Sequence, residues 1–511
     1  MKGWLAALLS VAGAFALATT LWGMPAGAAV SAAFHGVAFA VFPILWIVVA
    51  ALWVYTLSVE SGGFEVIKAT LARMSSDRRL QALFIAFAFG SFLEGSAGFG
   101  TPVAITAAML VGLGFDARYA AAICLVANSA PVAFAAAGVP VAVAAEVSGL
   151  DIYTISSILG RQLPLLSLVV PLWLCVILCG WKKSLEVLPA ILVAGLSMAV
   201  TQFLLANFSG PFMTGVASGL ITTGALALFL WKWKPKSVWG FPSDGVVSAG
   251  SPDKEQRVSL LQGIRAWSPF LLMSLFVLLW GFGPIKDVLD RASLSLVWPW
   301  LHNAVIRTTP IVASASPYPA VFKLAIASTP GTAIFAAGFV SAFILPNLGL
   351  RKALACLGST LKTLRASIAT VCFVLATAYI MNYAGMSSTI GIALSATGAL
   401  FPLFSPILGW LGVLMTGSDT SSNALFCSLQ RTTAEQLGLN PSLMAASNCA
   451  GGVTGKMISP QSISVATASA RLQGQEGWLF RFTFLHSVGM ALLISLITLV
   501  MAYVVPGLAP R

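Results

Sequence analysis

Apolar runs of about twenty residues, nearly free of charge, recur from residue 4 to residue 505, and most of the connections between them are short. Such a run matches the hydrocarbon thickness of a bilayer at helical rise. Hydrocarbon satisfies no backbone N–H or C=O, so each run must close its own hydrogen bonds as a helix. With 58% hydrophobic and 9% charged residues in 511, the chain lies far from the roughly 25% charged residues of a water-soluble domain. The expected fold class is an all-α polytopic membrane protein of about twelve to fourteen membrane segments, counting broken ones.

The balance of 28 Lys+Arg over 16 Asp+Glu would suit a nucleic-acid binder, but the basic residues sit in the connections. The positive-inside rule accounts for them there, so the expected partner is the lipid bilayer and not nucleic acid. Lys68, Arg73, Arg78 and Arg79 mark one cytoplasmic connection. Lys182 and Lys183, then Lys232, Lys234, Lys236, Lys254, Arg257 and Arg265, then Arg351, Lys352, Lys362 and Arg365 mark others. The longest polar interruption, 232–265, divides the chain into transmembrane halves 1–231 and 266–511, while the Pro-rich stretch of mixed charge at 283–323 belongs outside. Lys2 and Pro25-Ala26-Gly27-Ala28 have the form of a cleaved signal peptide; a retained first helix fits better, because the run at 38–57 must descend from outside into the basic connection that follows.

Five segments interrupt apolar sequence with helix breakers and polar groups: Leu93-Glu94-Gly95-Ser96-Ala97-Gly98-Phe99-Gly100-Thr101-Pro102, Asn128-Ser129-Ala130-Pro131, Gly160-Arg161-Gln162-Leu163-Pro164, Thr416-Gly417-Ser418-Asp419-Thr420-Ser421-Ser422-Asn423, and 451–462, which ends Gly455-Lys456-Met457-Ile458-Ser459-Pro460-Gln461-Ser462. At membrane depth a carboxylate or an unpaired amide survives only where it faces protein, ligand or a water-filled cavity, which makes Glu94 and Asp419 site candidates. Freed amides at half-helix N-termini with hydroxyl and amide side chains suit a carboxylate ligand, and Arg161 and Lys456 are the candidate countercharges. The competing fate of each is to snorkel to the interface. Landmarks in the first half (Gly95-Ser96, Leu113-Gly114-Phe115-Asp116, Asn128-Ser129) return in the same order in the second (Gly417-Ser418, Leu437-Gly438-Leu439-Asn440, Ser447-Asn448), the pattern of transporters built from repeated halves.

Enzyme chemistry finds little support. The seven cysteines form no CxxC pair, the three histidines (His35, His302, His486) are far apart, and no hydrolase elbow appears, so neither a metal nor a cofactor is expected. The run 451–456 is not a phosphate loop, since Ala450 stands where its first glycine belongs and Met457 where Ser or Thr should follow the lysine. His486 suits proton handling or an interhelical hydrogen bond; Glu146 and Asp151 suit the wall of an aqueous vestibule or an ordinary loop.

The segments 92–105, 160–164, 409–426 and 455–462, with Arg265-Ala266-Trp267, Asn382-Tyr383, and Arg481-Phe482-Thr483 before His486, together resemble the bacterial L-lactate permease family along nearly the whole chain. The resemblance implies a proton-coupled symporter of small 2-hydroxymonocarboxylates (L-lactate, D-lactate, glycolate) in the cytoplasmic membrane, with inverted repeats that each contain a re-entrant hairpin. On that reading Arg161 or Lys456 pairs with the substrate carboxylate. Asn128, Ser129, Ser418, Ser421, Asn423, Gln461 and Ser462 hydrogen-bond the substrate; Glu94 or Asp419 carries the proton, with Asp151 and His486 as further candidates. Three departures stand out: family members begin with one more apolar helix, His35 takes the place of an aromatic residue, and Ser96 and Ala384 replace Ala and Ser. The alternatives are sodium coupling through the hydroxyls and carbonyls of 417–423, a membrane-embedded enzyme, and a passive anion channel.

Overall fold

The computed structural model describes residues 3–72, 75–98, 100–241, 259–311, 314–346, 348–472 and 474–510; Lys2, Arg73, Phe99, Lys254 and Arg257 of the expected features lie outside them. The first half comprises α1 (Gly3–Thr20), α2 (Ala26–Phe39), α3 (Trp46–Glu60), α4 (Gly63–Ala72), α5 (Arg78–Ala82), α6 (Gly90–Ser96), α7 (Thr101–Gly112), α8 (Ala117–Ala127), α9 (Ala135–Ser148), α10 (Ile152–Leu185), α11 (Leu188–Phe208) and α12 (Pro211–Lys232). After the polar loop come α13 (Leu260–Gly281), α14 (Gly283–Asp290), strands β1 (Leu294–Val297), β2 (Ile306–Arg307), β3 (Ser316–Pro317) and β4 (Val321–Leu324), then α15 (Pro330–Ile344), α16 (Gly349–Ala384), α17 (Met386–Leu394), α18 (Phe401–Thr416), α19 (Asp419–Gln436), α20 (Pro441–Gly455), α21 (Pro460–Ser469) and α22 (Glu476–Tyr503). Among the described residues eight helical segments are long and apolar enough to span a bilayer. The α8–α9 pair, bent by 68°, makes a ninth, and three shorter apolar helices accompany them. Among the described residues the departure from an all-α chain is confined to two small antiparallel sheets, β1 with β4 and β2 with β3, within the stretch expected to form an outer loop.

The connections sort to two ends of the bundle. At one end Arg79 donates to Asp77, Glu186 and the carbonyls of Lys183 and Ser237, tying three basic connections together. At the other end the β segment lies over the helix termini: Trp298 donates to the Ser31 carbonyl, Tyr383 to Pro319 and Gln436 to Pro310. A buried guanidinium must be fully hydrogen-bonded, which is why Arg79 gathers carboxylates and free carbonyls around itself.

Two helical hairpins stop inside the bundle, and they enter it from opposite ends. The first runs inward from Asp77 through α5 and α6, turns after Ser96 and returns along α7, where the Leu113 carbonyl accepts from Arg78 at its open end. The second is formed by α18 and α19: Gln430 reaches the Ser405 carbonyl and Ser422 the Gly409 carbonyl as the arms converge on Gly417. Its open end lies beneath the β segment, where Gln436 contacts Pro310. Each hairpin precedes a broken pair of helices, α8–α9 after the first and α20–α21, interrupted at Lys456–Ile458, after the second.

Candidate functional site

The interruptions fold as breaks for local reasons. Gly98 and Gly100 take left-handed φ of 58° and 83° between α6 and α7, and Gly417 takes 75° at the end of α18, a conformation that costs glycine little. Ser418 then caps α19 by accepting from the Ser421 amide at 3.3 Å. Pro460 opens α21, and the Ser459 hydroxyl accepts from the Ser462 amide at 3.2 Å and bonds the Ser462 hydroxyl at 3.0 Å. In the first crossing, residues 128–134 separate α8 from α9, and Ala136 and Ala137 hold left-handed φ of 43° and 55°.

These breaks bring distant residues together. Glu94, in the last turn of α6, is fully buried; one carboxylate oxygen accepts from Lys456 Nζ at 2.6 Å and the other from Asn128 Nδ2 at 2.8 Å. Lys456 stands at the break between α20 and α21, so a buried ion pair joins the first hairpin to the broken crossing of the other half. Taking both charges out of water is expensive, and loss of either partner leaves the other uncompensated. Asp419, the first residue of α19, is also buried: its Oδ2 accepts from Asn423 Nδ2 at 3.4 Å, whereas Oδ1 has no hydrogen-bond partner among the described residues. That oxygen lies against Gly452, one helical turn before Lys456, where a Cβ would collide with it. Asn423 also donates to the Pro140 carbonyl at 3.1 Å, linking the second hairpin to α9, and accepts from Asn448 at 2.9 Å. Gln430 donates to Asn448 at 3.1 Å and completes a run of buried amides.

The tips themselves meet across α21. Gly100 packs on Val465 at ordinary contact distance, whereas at Gly417 a Cβ would collide with the Gln461 side chain, so the second tip needs glycine for its approach as well as for its φ. Close packing of α20 on α18 has the same origin, with Gly451 against Pro406 and Gly455 against Trp410.

Not every predicted residue joins this cluster. Arg161 donates to Asn207 Oδ1 at 3.1 Å and to the Leu508 carbonyl at 2.8 Å, away from Glu94 and Lys456. Its neighbour Gln162 is the buried one and reaches Ser447 at 2.8 Å and Thr498 at 3.2 Å. Adjacent helical residues point about 100° apart, and Leu159, Leu163, Leu166 and Val170 already mark the inner face that Gln162 shares. Asp151 is an exposed cap of α10 that accepts from the Thr154 amide at 2.7 Å, so it is not a buried carboxyl. His486 accepts from Trp173 Nε1 at 3.0 Å, the interhelical bond that was the other expectation. Ser129 is buried with its hydroxyl unpartnered among the described residues, and Gln461 is exposed beside Gly417. Asn448 and Gln430, absent from the candidate set, belong to the hydrogen-bonded run of buried amides, and the legible signal was Asn448 as an amide side chain among small apolar residues of α20.

A cavity of ≈ 750 Å³ lies at the β end, lined by His35, Glu146, Arg307, Tyr379, Asn382 and Arg431 among others, and none of Glu94, Asn128, Asp419 or Lys456 lines it. Glu146 accepts from the Tyr379 hydroxyl at 3.1 Å, in agreement with the expected vestibule. His35 stacks on Trp298 with centroids 4.6 Å apart, its Nδ1 unpartnered among the described residues.

Comparison with known proteins matches nearly the whole chain. The family model described as L-lactate permease matches residues 1–505. The glycolate permease GlcA of Escherichia coli K12 is 47% identical over 99% of this chain and 93% of its own length. The L-lactate permease of Salmonella typhimurium is 45% identical over 100% of this chain and 94% of its own. Among solved structures, the YdaH transporter of Alcanivorax borkumensis aligns over 91% of this chain and 86% of its own with a TM-score of 0.47 and 15% identity. The chain belongs to the L-lactate permease family, as a multi-pass transporter of the cell inner membrane and not an enzyme.

Proposed function

We propose that this permease imports L-lactate, D-lactate and glycolate, each together with one proton, and that the two are coupled at Glu94, Lys456 and Asn128. The names of its relatives support the substrate class. The observation that carries the coupling is the buried Glu94–Lys456 pair at 2.6 Å. One ammonium neutralises one carboxylate. A substrate anion that takes Lys456 adds a second negative charge to the buried pair, and one proton carried on Glu94 restores neutrality. Entry is then electroneutral, which avoids the roughly 2.3 kcal/mol per 100 mV that a lone anion meets with the cell interior negative.

Asp419 has the complementary role. Its free Oδ1 lies one turn of α20 from Lys456, and it accepts the 2-hydroxyl of the substrate while Asn128 and Lys456 hold the carboxylate. The opposed hairpins support reading 1–231 and 266–511 as inverted repeats, and the gathered basic connections support a cytoplasmic location for that end. Uptake into proteoliposomes tests the proposal. An imposed pH gradient should drive accumulation of all three acids without sodium, and propionate, which lacks the hydroxyl, should compete poorly. Accumulation that requires sodium and ignores the pH gradient would replace protons by sodium in this reading.

A further inference from the structure

The cavity at the β end contains two arginines in different states. Arg431 is committed: it pairs with Glu435 at 2.7 Å and donates to the Ser148 carbonyl at 2.7 Å. Arg307, on β2, has no hydrogen bond or ion pair from its side chain among the described residues, and its Nε is buried without a partner. Its guanidinium lies 4.7 Å from the centroid of Tyr318, which stacks on Tyr383 at 4.5 Å. The guanidinium lies over the aromatic ring with its N–H groups unspent among the described residues, and such a fork is suited to a planar carboxylate. Glu146, across the same cavity, is held by Tyr379.

We propose that Arg307 is a docking site for the carboxylate of a small monocarboxylate anion, which it holds at the cavity before the anion reaches Lys456. The inference rests on the transport reading above, including the assignment of the β end to the outside. A cation buried beside solvent concentrates anions at the mouth of the transport route and is reached from one face of the membrane only.

The test compares L-lactate transport in right-side-out and inside-out membrane vesicles carrying the wild type, Arg307→Gln or Arg307→Lys. Loss of one charge-assisted contact should raise the KM of Arg307→Gln about tenfold in right-side-out vesicles, with the maximal rate within about twofold of wild type. The inside-out KM should stay unchanged, and Arg307→Lys should recover part of the loss. A right-side-out KM within twofold of wild type overturns the proposal. So does an equal rise at both faces, which would mean a general distortion, and so does a full loss in Arg307→Lys. Absence of L-lactate transport in the wild-type vesicles would instead defeat the underlying transport reading, so the two failures are distinguishable.

Discussion

Replacing Glu94 by Gln separates coupling from binding. In the wild type a substrate carboxylate must displace the Glu94 oxygen held 2.6 Å from Lys456 Nζ. The amide is nearly isosteric and carries no charge, so the competitor falls from an ion pair to a hydrogen bond between the ammonium and a neutral oxygen. That difference is about 1.5 kcal/mol, or roughly tenfold in substrate affinity. Glutamine cannot carry the proton, however. For one proton per substrate, a gradient of one pH unit supports at most about tenfold accumulation, equivalent to about 1.4 kcal/mol, and the variant should fall to equilibration. Proteoliposomes loaded with unlabelled lactate would report exchange, and empty ones under an imposed pH gradient would report accumulation. Glu94→Gln should retain exchange, bind lactate more tightly and fail to accumulate it. Wild-type accumulation by the variant would refute the coupling role, and a loss of affinity would refute the competition for Lys456.

Three further expectations follow from the same geometry. Lys456→Ala leaves a buried carboxylate without its countercharge and should cost about 3–5 kcal/mol of stability, largely regained in a Glu94→Gln, Lys456→Met double variant and measured by thermal unfolding in detergent. Arg161→Gln should change the KM for lactate by less than about twofold in uptake assays, because that side chain is committed to Asn207 and Leu508. Glu186, between α10 and α11, is held at about 2 by hydrogen bonds from Lys183, Arg79 and Ser237. A folded value below the ordinary 4.5 means that its stabilisation is complete above about pH 4.5 and is lost as the pH falls through about 2. The gap in melting temperature between wild type and Glu186→Gln should therefore be constant near neutral pH and close on acidification.

Much of the site was legible because hydrocarbon makes polar residues conspicuous. Glu94, Asp419, Asn128, Asn423 and Lys456 stand out against apolar neighbours, and all five are buried where the breaks converge. At Arg161 and Gln162 a formal charge attracts attention, but helical phase decides which side chain faces inward, and here the neutral Gln162 does. Asp151, read as a vestibule wall or an ordinary loop carboxylate, caps α10, a role open to any acidic residue before a helix.

Sequence alone determined that this chain lies in a membrane, that its basic connections belong together, and that its helices break at Gly98, Gly417 and Pro460. Those are consequences of transfer free energy and of local backbone preference, both readable within a window of some twenty residues. The pairing of Glu94 with Lys456, the approach of Asp419 to Gly452 and the convergence of both hairpin tips on α21 were decided by the tertiary structure. Each joins segments from different places in the chain through hydrogen-bond geometry and glycine-permitted contact, and no local pattern specifies which buried carboxylate meets the one buried lysine described here.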